Sequence, residues 1–180
     1  MSKRRADASS AAIAKLPTRT GIVFPARELT GMQDSEFIIE TNESDFFRWT
    51  VHMPETVMHD ELKQDVHRWA RRYDKDPLVT LEVVFPSDYP ISVPFVRVVR
   101  PRFVFHTGHV TVGGSLCTEL LTRSGWTPMT PSALLHSVCV MFKDGRGRVD
   151  IDGFASNRDY TEAEAKDAFT RVAQFHKWHV

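Results

Sequence analysis

The stretch Leu78-Val79-Thr80-Leu81-Glu82-Val83-Val84-Phe85-Pro86-Ser87-Asp88-Tyr89-Pro90-Ile91-Ser92-Val93-Pro94-Phe95-Val96-Arg97-Val98-Val99 decides how the chain folds. Leu78 to Phe85 is rich in β-branched and aliphatic residues and is closed by a proline, the pattern of a strand. Phe95 to Val99 reads as the next strand, and the prolines from Pro86 to Pro94 confine the segment between them to a loop. Upstream, Glu36 to Glu40 and Phe47 to Met53 read as two more strands, with Asn42-Glu43-Ser44-Asp45 as the turn between them. Alternation in the second of these points Phe47, Trp49, Val51 and Met53 at the core. Four strands in succession predict one meander.

The period then changes. Leu62, Val66, Trp69, Ala70 and Tyr73 recur at helical spacing across Asp60 to Tyr73, so the charged opposite face is expected in solvent and Trp69 against the sheet. Thr130-Pro131 supplies an N-cap and first-turn pair for a helix through Leu134, Leu135, Val138, Met141 and Phe142, which Gly145 ends. Thr161-Glu162-Ala163-Glu164 is a capping box opening a last helix, with Ala165, Ala168, Phe169, Val172 and Phe175 as its apolar stripe. The fold class is α+β: a four-stranded antiparallel meander sheet flanked by helices.

Of the 180 residues, 42% are hydrophobic and 26% charged, an ordinary soluble composition that suits a single domain. Residues 1–20 read as a flexible tail with a possible short helix at Ala11 to Leu16, and 21–180 as the domain, opening with a brief helix at Pro25 to Leu29. Lysine plus arginine and aspartate plus glutamate number 23 each, so no overall field attracts nucleic acid or an anionic membrane. No apolar run approaches membrane-spanning length, and the N-terminus lacks a signal-peptide apolar stretch. Two cysteines in a chain this long do not make a disulfide framework, which points to a reducing compartment, cytoplasmic or nuclear.

One cysteine stands apart. In Phe105-His106-Thr107-Gly108-His109-Val110-Thr111-Val112-Gly113-Gly114-Ser115-Leu116-Cys117, the thiol follows a glycine pair and lies downstream of two histidines, with Trp126 beyond it. Glycine allows close backbone approach or positive φ, so Cys117 is expected on a shaped loop where a partner can reach it. Cys139, between Val138 and Val140 in a helix, reads as a small buried hydrophobe. His106, His109 and Cys117 lack the further ligands of a four-coordinate zinc set, so no metal is expected.

Three groups of residues resemble the ubiquitin-conjugating enzyme family: Phe85-Pro86-Ser87-Asp88-Tyr89-Pro90 with Pro94, Gly114-Ser115-Leu116-Cys117 with Leu120-Leu121, and Trp126-Thr127-Pro128 with its following helix. Pro94-Phe95-Val96-Arg97-Val98-Val99 and the run Cys117, Glu119 to Thr122, Gly125-Trp126 are most similar to the Q-type branch. Several motifs in the right order make the signal specific. The resemblance implies that Cys117 accepts ubiquitin, or a ubiquitin-like modifier, as a thioester from an activating enzyme. Transfer to a lysine amine or a hydroxyl then follows, usually with a ligase. It implies no cofactor, because the activating enzyme consumes the ATP.

Site roles follow from the same resemblance. Most members carry His-Pro-Asn upstream of the cysteine; here His109 occupies the asparagine's position, where the Q-type branch usually has tyrosine. His109 then either helps stabilise the oxyanion, directly or by ordering its loop, or is a surface histidine in a variable loop. Glu119 orients an incoming amine, acts as a weak base, or is a solvated carboxylate. His176, with Trp178, is either a base toward hydroxyl acceptors or a helix-end residue beside a packing tryptophan. Gly113, Gly114 and Trp126 support the site, and Ile91, Pro128 and Met129 are the expected ligase contacts. The rival reading is a non-catalytic scaffold, because RWD domains share the architecture and a Tyr-Pro-x-x-x-Pro turn matched by Tyr89, Pro90 and Pro94. Inactive conjugating-enzyme variants are a related rival, and both typically lack the cysteine.

Overall fold

In the computed structural model, which describes Leu29, Met32, residues 36–42 and residues 44–179, four strands form one antiparallel sheet in sequence order. They are β1 (Ile38–Asn42), β2 (Asp45–Met53), β3 (Val79–Val84) and β4 (Phe95–Arg100). The register sets Trp49 opposite Val83 and Val51 opposite Leu81, then Val83 opposite Val96 and Leu81 opposite Val98. Because side chains alternate along a strand, this places Trp49, Val51, Met53, Leu81, Val83, Val96 and Val98 on one face, none more than 2% exposed. Each such side chain contributes roughly 1.5–3 kcal/mol by leaving water.

Three helices complete the described fold: α1 (Asp60–Tyr73), between β2 and β3, then α2 (Pro131–Asp144) and α3 (Glu162–His176). α1 contributes Leu62, Val66 and Trp69 to the core, and α2 contributes Leu134, Leu135, Val138 and Phe142. The expected caps are in place. The Thr130 hydroxyl accepts the Ala133 N–H at 3.2 Å, and Thr161 and Glu164 form a reciprocal capping box.

The opposite face of the sheet is polar near β4. Arg97 donates to Glu82 at 2.8 Å, Arg48 pairs with Glu82 at 2.9 Å, and Arg48 reaches Glu162 of α3 at 3.2 Å. Arg97 also donates to the Tyr160 carbonyl at 2.9 Å, and the rings of Phe95 and Phe169 meet edge to face. These contacts lay the start of α3 over the β4 side of that face.

Three expectations need adjustment. The charged face of α1 is not all solvated: Asp65 is buried, because Arg148 and the Val149 N–H come down onto it from the loop after α2. Trp69 is buried as expected, but its indole N–H donates to the Ser156 carbonyl at 2.9 Å and so secures the loop before α3. In α3 the buried residues are Ala165, Ala168 and Ala173, whereas Phe175 is exposed. Small side chains let α3 approach the cysteine segment more closely than a phenylalanine stripe would. The tail at 1–20 and its short helix lie outside the described residues, as does the helix at Pro25 to Leu29 apart from Leu29, which is buried.

Candidate active site around Cys117

The segment leading to Cys117 is a small hairpin. Thr111 N–H donates to the Ser115 carbonyl at 2.9 Å, Gly114 N–H to the Thr111 carbonyl at 3.0 Å, and Cys117 N–H to the His109 carbonyl at 2.7 Å. The buried Thr111 and Ser115 hydroxyls bond each other at 2.8 Å. Ser115 also bridges to Arg97, and the Gly114 carbonyl accepts the Val98 N–H at 2.7 Å, so the hairpin is fastened to the edge of β4.

Both glycines of the pair are required by packing. A Cβ on Gly113 would collide with the Glu164 carbonyl of α3, and one on Gly114 would lie 2.6 Å from the Tyr160 ring. Gly114 also has φ of +91°, a conformation that side chains rarely adopt. The glycines therefore dock the turn against α3 and Tyr160, and the thiol emerges three residues later on a firm base. Tyr160 is held in turn by the Phe103 N–H at 3.0 Å and by the Arg102 guanidinium stacked 4.3 Å above its ring.

After Cys117 the chain makes a 3-10 turn, Glu119–Leu121, in which the Thr118 hydroxyl accepts the Leu120 N–H. Thr122 closes the following loop: its hydroxyl donates to the Glu119 carbonyl at 2.7 Å and accepts the Gly125 N–H at 3.2 Å. Trp126 then donates its indole N–H to the Pro90 carbonyl at 2.8 Å, while the Tyr89 hydroxyl donates to the Met129 carbonyl at 2.6 Å. Rings of Trp49, Phe85, Tyr89 and Trp126 pack in succession from the core outward. The two loops at residues 86–94 and 126–130 are thus tied to each other and to the sheet.

Cys117 itself is partly exposed, and burial of the remainder pushes its thiol above the ordinary cysteine pKa. His109 is exposed, has φ of +56°, and lays its ring against Gly145; its link to Cys117 runs through its backbone carbonyl. His106, also at positive φ, is exposed beside Phe105. Glu119 is exposed. His176 stacks on Trp178 with ring centroids 4.6 Å apart. The Arg123 N–H donates to the His179 carbonyl at 3.0 Å, so the C-terminal residues meet the loop beyond the cysteine. Ile91 and Pro128 are exposed, and Met129 is half-buried. Cys139 is half-buried, its thiol pushed up to about 11 by burial and by the nearby Glu36 carboxylate.

Among the described residues, no cluster of three histidine, cysteine, aspartate or glutamate side chains could hold a metal ion, and no helix is long and apolar enough to cross a membrane.

No family model matches the chain. It is 26% identical over 152 residues to a human ubiquitin-conjugating enzyme Q-like protein, an alignment covering 84% of this chain and 90% of that protein. A Drosophila melanogaster ubiquitin-conjugating enzyme Q-like protein is 28% identical, covering 84% of this chain and 48% of that protein. Among solved structures, a Plasmodium falciparum ubiquitin-conjugating enzyme superposes with a TM-score of 0.51 at 20% identity, covering 71% of this chain and 89% of that one. In sequence the chain is similar to ubiquitin-conjugating enzymes of Q-like type, and it has the ubiquitin-conjugating enzyme fold. The sheet and helices described above are those of that fold.

Several residues that shape the site carried no sequence signal pointing to Cys117. Tyr160 and Glu164, under the glycine pair, and Thr107, Asp65 and Arg148, behind His109, were not singled out around Cys117. Only the glycines hinted that something large would approach the turn.

Proposed function

We propose that the chain carries ubiquitin, or a ubiquitin-like modifier, as a thioester on Cys117 and passes it to a lysine amine or a hydroxyl. The reading is supported by a partly exposed thiol at the end of a hairpin fastened to β4, α3 and Tyr160. A scaffold has no need of a thiol in that place, and the relatives are named as conjugating enzymes. Partners of the general classes ubiquitin, activating enzyme and ligase are supported by the similarity to those relatives.

The chemistry is a pair of acyl exchanges. The Cys117 thiolate attacks the carbonyl of a thioester on the activating enzyme; a new C–S bond forms and the old one breaks, releasing that enzyme's thiolate. An acceptor amine or hydroxyl then adds to the carbonyl, and the tetrahedral intermediate expels the Cys117 thiolate as the acceptor gives up its proton. A raised thiol pKa makes the bound sulfur a poorer leaving group and keeps less free thiolate at neutral pH, so positioning has to carry more of the catalysis.

In this reading Glu119 lies beside the acceptor's approach as a weak base, and His109 holds the cysteine's backbone through its carbonyl. His176, stacked on Trp178, is assigned to the hydroxyl acceptor. Ile91, Pro128 and Met129, on the two coupled loops, form the ligase contact, and a cytoplasmic or nuclear setting completes the proposal. The decisive experiment incubates the protein with activating enzyme, ATP and each modifier, then runs gels with and without reductant. A reductant-sensitive adduct, lost in Cys117→Ala, is expected; absence of any adduct with every modifier would leave the scaffold reading.

A further inference from the structure

We propose that Asp65, Arg148 and the Thr107 hydroxyl form a clasp that positions Cys117 for transfer, a role that rests on Cys117 being the carrier as above. The starting point is a buried carboxylate that the reaction itself does not touch. Asp65 lies on α1, and its oxygens are fully engaged. Oδ2 accepts from Arg148 Nε at 2.5 Å and from the Val149 N–H at 3.2 Å; Oδ1 accepts from Arg148 Nη2 at 3.1 Å and Arg68 Nη2 at 2.9 Å. A buried charge is tolerated only when paired and hydrogen-bonded, so Asp65 fixes the loop that carries Arg148.

That loop grips the strap at residues 104–109. The Arg148 N–H donates to Thr107 Oγ1 at 3.1 Å, the Thr107 hydroxyl donates to the Val104 carbonyl at 2.8 Å, and the Val104 N–H donates to the Arg148 carbonyl at 2.8 Å. The Gly108 N–H reaches the Gly145 carbonyl at 2.7 Å, and the Val110 N–H reaches the Thr107 carbonyl at 3.1 Å. Glycines allow the two segments to touch, since a Cβ on Gly108 would sit 3.0 Å from the Gly147 Cα.

His109 lies within this grip at φ of +56°, a region that non-glycine residues keep only when their surroundings impose it. Its carbonyl accepts the Cys117 N–H at 2.7 Å. A series of hydrogen-bonded segments therefore runs from a carboxylate on α1 to the backbone of the cysteine. Loosening it displaces the sulfur relative to an incoming nucleophile, which lowers the rate of attack and leaves acceptor binding alone.

The test uses the full chain charged with ubiquitin, or with whichever ubiquitin-like modifier forms the adduct, and chased with free lysine over a range of concentrations. Thr107→Val, nearly isosteric, lowers the maximal discharge rate about tenfold with the half-saturating lysine concentration unchanged, and Thr107→Ser stays within about twofold of the parent. A purely structural role would lower the folded fraction and spare the rate per folded molecule. If Val does not fold at this half-buried position, Thr107→Ala carries the same prediction. Discharge at the parental rate in the hydroxyl-free variants, or slow discharge that Ser does not restore, overturns the clasp while the carrier reading stands. A parent protein that forms no reductant-sensitive adduct with ubiquitin or any ubiquitin-like modifier removes the carrier reading, and the clasp's role in transfer goes with it.

Discussion

Cys117 combines a fixed backbone with a thiol that burial makes harder to ionise. The direction of that shift yields a pH prediction. Its thiolate fraction at neutral pH is below that of an unperturbed cysteine, whose pKa is about 8.5. Alkylation of Cys117 by iodoacetamide should therefore rise with pH along a curve displaced to the alkaline side of a free-cysteine peptide measured in parallel. A curve displaced to the acid side would mean that an unrecognised positive group activates the sulfur. The cysteine was legible in the sequence because a glycine pair just upstream and a tryptophan downstream framed it. The His109 side chain was less so. The resemblance left it either assisting the oxyanion, directly or by ordering its loop, or lying on the surface; its ring is exposed, and its contact with Cys117 runs from its carbonyl, a group every residue possesses and no sequence pattern distinguishes.

Among the elements, α3 and the hairpin at residues 109–117 depend on each other. Two consecutive glycines abut Glu164, Ala168 and Tyr160, and the buried stripe of α3 is alanine at 165, 168 and 173. Gly113→Ala should thus destabilise the fold by at least about 3 kcal/mol, at the upper end of overpacking costs, because the obstructing atom is a backbone carbonyl that cannot rotate away. Urea unfolding of the variant against the parent measures this; a loss under about 1 kcal/mol would mean that the helix shifts to accommodate the methyl. Thr161→Ala serves as a control at the same helix and should cost only about 1 kcal/mol, the usual worth of an N-cap. The strands and helix ends were legible because alternation, prolines and a capping box are local signals. The packing of α3 was not, since a period of hydrophobicity ranks phenylalanine above alanine and carries no information on how closely two backbones approach. Phe175 satisfied the period and ended up in solvent.

Across the whole molecule, the helix between β2 and β3 does more than fill a connection. Its helical period was plain from Leu62, Val66 and Trp69, but the same period assigned Asp65 to the solvent face, because the partner that covers it lies 83 residues away. Burial alone would raise the Asp65 pKa, yet the hydrogen bonds from Arg148 and Val149 and the charges of Arg148 and Arg68 outweigh it and hold the carboxyl below its ordinary value. A carboxyl whose folded pKa is depressed stabilises the fold fully above its unfolded pKa of about 3.9, and the contribution fades as pH falls through the folded value. The parent should accordingly exceed Asp65→Asn in unfolding free energy by about 2–3 kcal/mol at pH 7, the worth of hydrogen bonds to a charged group. That gap should be unchanged down to about pH 5 and narrow only in stronger acid. Urea titrations of both proteins across this range measure it. A gap that instead closes between pH 7 and pH 5 would assign the acid sensitivity to a histidine and leave Asp65 as packing alone.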